Sequence, residues 1–367
     1  MIDATATEAS HAQALRGVPE PALTFVSNAT GFPTFRCQKL GPGREYFDTL
    51  VLKASYPLRA GLLAEPMSQP IVVTDRWWDE SDPLRSSLRS AGEVVLDKPG
   101  GDLFLTGHAR IDKPLTHWAT EVVVRRGSRR LASLTLQATG PRSWVHRAVR
   151  GWSLSSPTPA MEVPIRYELA YGGRFVRGGR VESFRSNPSG SGFFDTAALG
   201  ADELPGPQWE HPDEPVTTMN APYKMAGFGP ISRSWATRLA YAGTRDEAFV
   251  ARLRREVAAG LPSDYPSDFD HRFFQVAHPS LQLAERFEPG DRIALRGLGG
   301  TLDWQVLELP AVPVLAELHG AGAPSIVPAA MDTVHLDLDA GVVHVLHRLT
   351  LDVRLGVTAV ALFREGD

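Results

Sequence analysis

Thirty-three glycines and 29 prolines among 367 residues leave this chain few stretches in which a long helix could run. Together they make roughly one residue in six, against about 12% in average usage, and such an excess builds turns. Between the turns lie short alternating or apolar runs: FDTLVLKASYPL (47–58), PIVVTD (70–75), GDLFLTGHARI (101–111), WATEVVVRR (118–126) and RLASLTLQATG (130–140). That punctuation predicts a mainly β protein of antiparallel sandwich or barrel-like sheets with long Gly/Pro-rich loops. VVVRRGSRRLASL reads as a hairpin turning at Gly127-Ser128. Leu131, Leu134 and Leu136 break strict alternation there, which predicts a bulge.

The length suits two domains or one large β unit. The expected organisation is a flexible tail over 1–20, a β-rich part over 21–150 and a loop-rich and β-rich part over 151–367, unless the last two form one continuous domain. One helix is expected, at about 245–259. Thr244 and Glu247 have capping-box spacing, Phe249, Val250, Leu253 and Val257 make its apolar stripe, and Gly260 and Pro262 stop it. Across the middle, 151–230, glycine, proline and aromatics dominate. Tyr167, Tyr171, Phe184, Phe193, Phe194 and Trp209 argue for packed loops, since disordered segments are poor in aromatics. Near the C-terminus, a three-residue loop Asp339-Ala340-Gly341 would set Leu336 opposite His344, with His335 and His347 sharing the other face.

Composition narrows function. The net charge of −4 gives no basic footprint, so nucleic acid is not an expected partner. A single cysteine, Cys37, removes disulfide frameworks and multi-cysteine metal sites, and is expected as a buried small hydrophobe. The N-terminus lacks the form of a secretory signal, and no apolar run is long enough for a membrane helix, so a cytoplasmic protein with no membrane contact is expected. No cofactor motif appears: no lysine follows a G-x-x-x-x-G run, and Gly297-Leu298-Gly299-Gly300 lacks a following helix. NPSGSG, with Ser189 and Ser191, lacks the form of a nucleophile elbow.

Three features compete for chemistry. In PSDYPSDFDHRFF (262–274), Asp264, Asp268, Asp270 and His271 could supply carboxylate or metal chemistry. The spacing fails the calcium-loop pattern, and the favoured reading has prolines stiffening a loop, aspartates capping turns and Phe269, Phe273 and Phe274 plugging the core. His335, His344 and His347 make only a weak metal signal. Arg125, Arg126, Arg129 and Arg130 surround a turn and read as a solvated edge, or as a surface for an anionic partner. Trp77-Trp78 is of another kind: adjacent strand residues face opposite ways, so one indole can be core and the other a contact.

Five ordered blocks resemble the bacterial DUF2169 family: VPIRYELAYGG (163–173), NPSGSGFF (187–194), GFGPISRSWATRLAYAGTRDEAF (227–249), PSDFDHRFFQVAHPSLQ (266–282) and MDTVHLDLDAGVVHVL (331–346). The family-like region runs from about 22 to 355. Its motif positions here are Gly172, Gly173, Asn187, Pro188, Gly190, Gly192, Gly227, Phe228, Gly229, Pro230, Trp235, Asp268, Asp270, Phe273 and Phe274, expected as structural. Departures stand at Gly140-Pro141-Arg142-Ser143-Trp144, Leu204-Pro205-Gly206 and Ala277-His278-Pro279-Ser280-Leu281-Gln282. What the resemblance implies is a non-enzymatic adaptor or chaperone of type VI secretion. Such a protein binds a toxic effector, stabilises it and helps load it onto VgrG/PAAR-type spike proteins, with no catalytic residues, metal or cofactor. Trp77, Trp78, Phe193, Phe194 and Trp209 are the candidate partner contacts. The alternative is a hydrolase using Asp268, Asp270 and His271.

Overall fold

The computed structural model describes residues 23–149, 151–197, 200, 202–320 and 322–366, so the tail expected over 1–20 lies outside the described residues. Strand makes up 43% and helix 9%, and among the described residues no sheet closes into a barrel. Three sheets carry most of the structure. The first runs Thr34–Leu40, Tyr46–Pro57, Val342–Asp352, Ala330–Asp337 and Asp102–Thr106, antiparallel except for its last, parallel pair. The second contains the expected hairpin His117–Arg126/Arg129–Thr139, flanked by Arg292–Arg296 and Gln305–Glu308. The third runs Phe25–Asn28, Val357–Arg364, Val314–Gly320 and Ser325–Pro328. Strands from both ends of the chain thus share sheets, and one apolar core takes side chains from all three.

The hairpin turns at Gly127-Ser128, and its register shifts between Arg130 and Ala132, where the broken alternation predicts a bulge. The solvated-edge reading needs correction at Arg126. Its guanidinium is bonded to Asp291, Glu285 and Glu288 at 2.6–2.9 Å and so ties the hairpin to the 285–291 loop.

The first sheet is buried on both faces. Leu50, Leu52, Ala54, Val343, Val345, Val334 and Leu336 point into the core. The opposite face carries buried polar groups, among them Thr49, Lys53, Ser55, His344, Arg348 and Thr333. The parallel edge strand Asp102–Thr106 is covered by loops, as an edge must be to avoid unwanted pairing. Phe228 O accepts from Leu105 N, and the Asp102 carboxylate accepts from Val276 N and Ala277 N at 2.7 and 2.9 Å.

Two expectations about local geometry are corrected. The C-terminal hairpin pairs Leu336 with Val343 and His335 with His344, one residue away from the expected register. The turn takes four residues because Asp337 Oδ1 accepts from Asp339 N and Ala340 N, adding Leu338 to the loop. A one-residue slip changes which side chains share a face, so His335 and His344 stand together. The helix spans Glu247–Ala258 and is capped by Asp246, whose side chain accepts from Phe249 N at 2.8 Å. Thr244 is not the cap, because Asp268 takes both its N–H and its hydroxyl. The apolar stripe is only half covered, and Val257 is exposed.

The glycine-rich middle packs as a knot around Asn187, which is fully buried. Its Nδ2 donates to the carbonyls of Tyr167 and Tyr171 at 2.8 and 3.1 Å, and its Oδ1 accepts from Ser189 N. A Cβ at Gly190 would stand 2.5 Å from Ala170 O and 2.6 Å from Asn187 Nδ2, and one at Gly172 would stand 2.1 Å from Asn187 O. Gly227 gives way in the same manner to the Tyr167 ring, which meets Trp235 edge-on at 5.0 Å and donates to Gly229 O. These glycines are therefore set by contact distance. Asn187→Ala is expected to cost about 2 kcal/mol or more, since each buried carbonyl stripped of its donor costs about 1–3 kcal/mol. Asn187→Asp is expected to cost more still, because a carboxylate would face two carbonyl oxygens. Urea unfolding of the two variants tests that order.

Candidate functional site

A cleft of about 550 Å³ opens on the polar face of the first sheet, a volume in the range of ordinary ligand sites. Its floor is Phe104, Thr106, His335 and His344, and its wall is the 69–93 segment with Trp77 and Trp78. Two buried interactions fix the wall. Lys53 Nζ meets Glu93 Oε1 at 2.6 Å, and Glu93 Oε2 accepts from Val72 N at 2.7 Å. Burial pushes the Glu93 carboxyl above its usual value, with Lys53 opposing. Arg348 then holds the backbone of the same segment, donating to Glu93 O and Val95 O.

The floor is polar but electrically quiet. His335 stacks on Phe104 at 4.5 Å and faces His344 at 5.1 Å. Thr106 Oγ1 lies 2.7 Å from His335 Nε2, and Ser55 Oγ 2.8 Å from His344 Nδ1. Burial, reinforced by Lys53, pushes His344 down to about 3. Burial and the neighbouring His344 and Lys53 also hold His335 well below its ordinary value. Both rings are therefore neutral at pH 7. The Ser55–His344 pair resembles a nucleophile and its base, yet Ser55 is fully buried, so a substrate carbonyl has no approach to its oxygen.

Both tryptophans are half-buried. Trp77 packs against the main core, whereas the Trp78 ring lies under the Arg166 guanidinium at 3.6 Å, with Arg89 at 5.5 Å. Cation–π pairing of this kind fixes the half-buried Trp78 ring at the rim, with one face against Arg166. The other contact candidates part company. Phe193 and Phe194 are half-buried against a second core of Trp144, Tyr171 and Val216, and Phe193 stacks on Phe175 at 5.3 Å. Trp209 must be corrected: it is 1% exposed, donates its indole N–H to Pro164 O and meets Phe228 edge-on, so it offers no face to a partner.

The acidic loop does not converge. Asp264 accepts from Gly43 N and Tyr265 N, Asp268 from Thr244, and Asp270 from Arg272 through its backbone N–H and its guanidinium. Those bonds hold Asp268 and Asp270 below the usual carboxylate range. Among the described residues no three His, Cys, Asp or Glu side chains gather as metal ligands. The phenylalanines do not plug the core as expected. Phe269, Phe273 and Phe274 form a half-exposed aromatic group with Tyr265 and His271, anchored where Arg238 donates to Phe273 O. Cys37, expected buried, is only partly so.

The cleft floor was not legible in the chain, because it is assembled from strands more than 200 residues apart. Trp77-Trp78 in the wall and His335 and His344 in the floor were singled out separately, but nothing in their spacing joined them. The blocks in which single positions depart from the resembled pattern hold structural side chains here, both at positions that keep the pattern (Arg142, Trp144) and at one that departs (His278). Arg142 makes a buried pair with Glu210 at 2.6 Å, Trp144 is fully buried, and His278 Nε2 bonds Met225 O at 3.0 Å. Among the described residues no helix is long and apolar enough to cross a membrane.

A family model described as "Uncharacterized protein conserved in bacteria (DUF2169)" matches residues 43–348. No curated protein and no solved structure matches the chain.

Proposed function

The chain belongs to the DUF2169 family, and from that premise we propose that it is a cytoplasmic adaptor or chaperone that binds a type VI secretion effector and helps load it onto VgrG/PAAR-type spike proteins. The observation that carries a binding role is the cleft rim. The half-buried Trp78 ring, fixed against Arg166, lines an opening whose wall is held by the buried Lys53–Glu93 and Arg348 contacts. Rigid aromatic surface beside arginine is the composition of binding hot spots. Arg76 and Arg89 line the same cleft. The alternative, hydrolysis by Asp268, Asp270 and His271, has no observation in its favour, since the two carboxylates are committed to Thr244 and Arg272.

The test is a tagged pull-down from bacterial cells that express the secretion genes, with bound proteins identified by mass spectrometry. The wild-type chain is expected to retain a toxin or spike protein in near-equal amount. Trp78→Ala is expected to lower that recovery at least tenfold with its circular dichroism unchanged, while Asp268→Asn and Asp270→Asn leave it intact. Capture of neither class of protein, or equal capture by Trp78→Ala, would count against the reading. A turnover lost in the two aspartate variants would favour the hydrolase.

A further inference from the structure

A second surface carries a more specific expectation. Four aliphatic side chains from three separate segments stand together in the open: Leu84 is 58% exposed, Val176 57%, Val181 56% and Leu239 45%. The hairpin Arg174–Arg177/Arg180–Ser183 places the two valines side by side. Gly178 and Gly179, both at positive φ, make its two-residue turn and pair Val176 with Val181 and Arg174 with Ser183 on one face. Arg174 reaches Leu84 O at 3.4 Å, and Ala236 N donates to Arg185 O at 3.0 Å, which seats the short helix Ala236–Leu239 against the same region. Between them runs a groove of about 200 Å³, lined by Leu84, Val181, Leu239, Arg174 and Arg185 among others.

The charge around this groove is one-sided. Among the described residues no carboxylate lines it, and neither Arg174 nor Arg185 has an ion-pair partner. Glu182 sits on the opposite face of the hairpin with Phe175. The hairpin pairs with no third strand, as its sheet has only two, so its outer edges carry backbone donors and acceptors that a further strand can take.

We propose that this groove is the docking site for a partner protein's segment that is both aliphatic and acidic. Its leucine-like side chains cover Val176, Val181 and Leu239 while its carboxylates meet Arg174 and Arg185. The inference rests on the partner-binding reading only for the protein that carries the segment; the chemistry of the segment follows from the groove.

Fluorescence anisotropy of a labelled synthetic peptide of leucines spaced among glutamates, titrated with the full chain, tests it; the same peptide with lysine for glutamate is the control. The acidic peptide is expected to bind at least tenfold tighter than the basic one, and to weaken as salt is raised. Arg174→Glu/Arg185→Glu is expected to abolish that preference, and Val181→Glu to weaken the acidic peptide at least tenfold, with both variants folded by circular dichroism. Equal binding of the two peptides, no binding of either, or an unchanged preference in the arginine variant overturns the groove as a site. The pull-down separates the two readings. A partner held equally well by wild type and Arg174→Glu/Arg185→Glu sinks the groove alone. Selective peptide binding without any captured secretion protein supports the groove and sinks only the adaptor role.

Discussion

Lowering the pH from 6.5 toward 4 is expected to destabilise the protein by several kcal/mol. Four histidines lie in or beside the core with depressed pKa values, and in each the first cause is burial. His278 is pushed to about 4, His344 to about 3 and His347 to about 4, while His335 lies well below its ordinary value. A carbonyl contact opposes the shift at His278 and at His347, whereas Lys53 deepens it at His335 and His344. All four are neutral in the folded chain at pH 7, but each takes up a proton near pH 6.5 once unfolded. Their contribution to stability is therefore complete above pH 6.5 and is lost as the pH falls from there toward the folded values. Each proton taken up on unfolding steepens the fall by about 1.4 kcal/mol per pH unit. Urea midpoints at pH 7.5, 6.5, 5.5 and 4.5 read this directly. His347→Leu is expected to flatten the slope by about one proton, since it removes one of the four groups that take up a proton on unfolding. A midpoint that stays level between pH 7.5 and 5.5 would refute the assignment.

These histidines also show how much the chain discloses before it is folded. Strand runs, the Gly127-Ser128 turn and the bulge beside Leu131 follow from alternation and turn chemistry, which are local properties. The histidine pair does not. Whether His344 faces His335 depended on one extra residue in a turn, and that residue was set by Asp337 capping Asp339 and Ala340. Thr244 failed as a helix cap for a related reason. A carboxylate 24 residues away claimed its N–H and hydroxyl, leaving Asp246 to cap. Trp209 and Trp78 are both tryptophans in turn-rich segments, and only long-range packing separates the fully covered ring from the one at a cleft rim. The cleft itself joins residues 53, 104 and 344, so spacing in the chain carried no trace of it. The knot around Asn187 lies between these cases: its glycines were visible as a dense pattern, but the backbone oxygens that forbid a Cβ there were not.

Arg348→Met is expected to cost about 3–5 kcal/mol, the usual loss when one partner of a buried ion pair is removed. Arg348 and Asp332 are each about 1% exposed in their side chains, with Nε and Oδ2 2.6 Å apart. Burial alone would raise the Asp332 carboxyl, but Arg348 and Lys98 hold it below its usual range, so it is charged throughout the neutral region. Methionine fills similar volume and leaves that charge without its main counterion. It also removes the donors to Glu93 O and Val95 O, which fasten the 93–95 segment over the polar face of the sheet. Because the folded Asp332 pKa is depressed, its share of stability is present above the unfolded carboxylate value near 3.9 and is lost only as the pH falls further. That separates it from the histidine effect, which is largely spent by then. The double variant Arg348→Met/Asp332→Leu should recover part of the loss, since replacing both partners of a buried pair by apolar groups is often neutral. Its recovery should be incomplete, because the two carbonyls remain unpaired. If urea unfolding at pH 7 gives the single variant a loss under about 1 kcal/mol with an unchanged m-value, the pair does not hold the segment. The cleft wall would then have to depend on Lys53 and Glu93 alone.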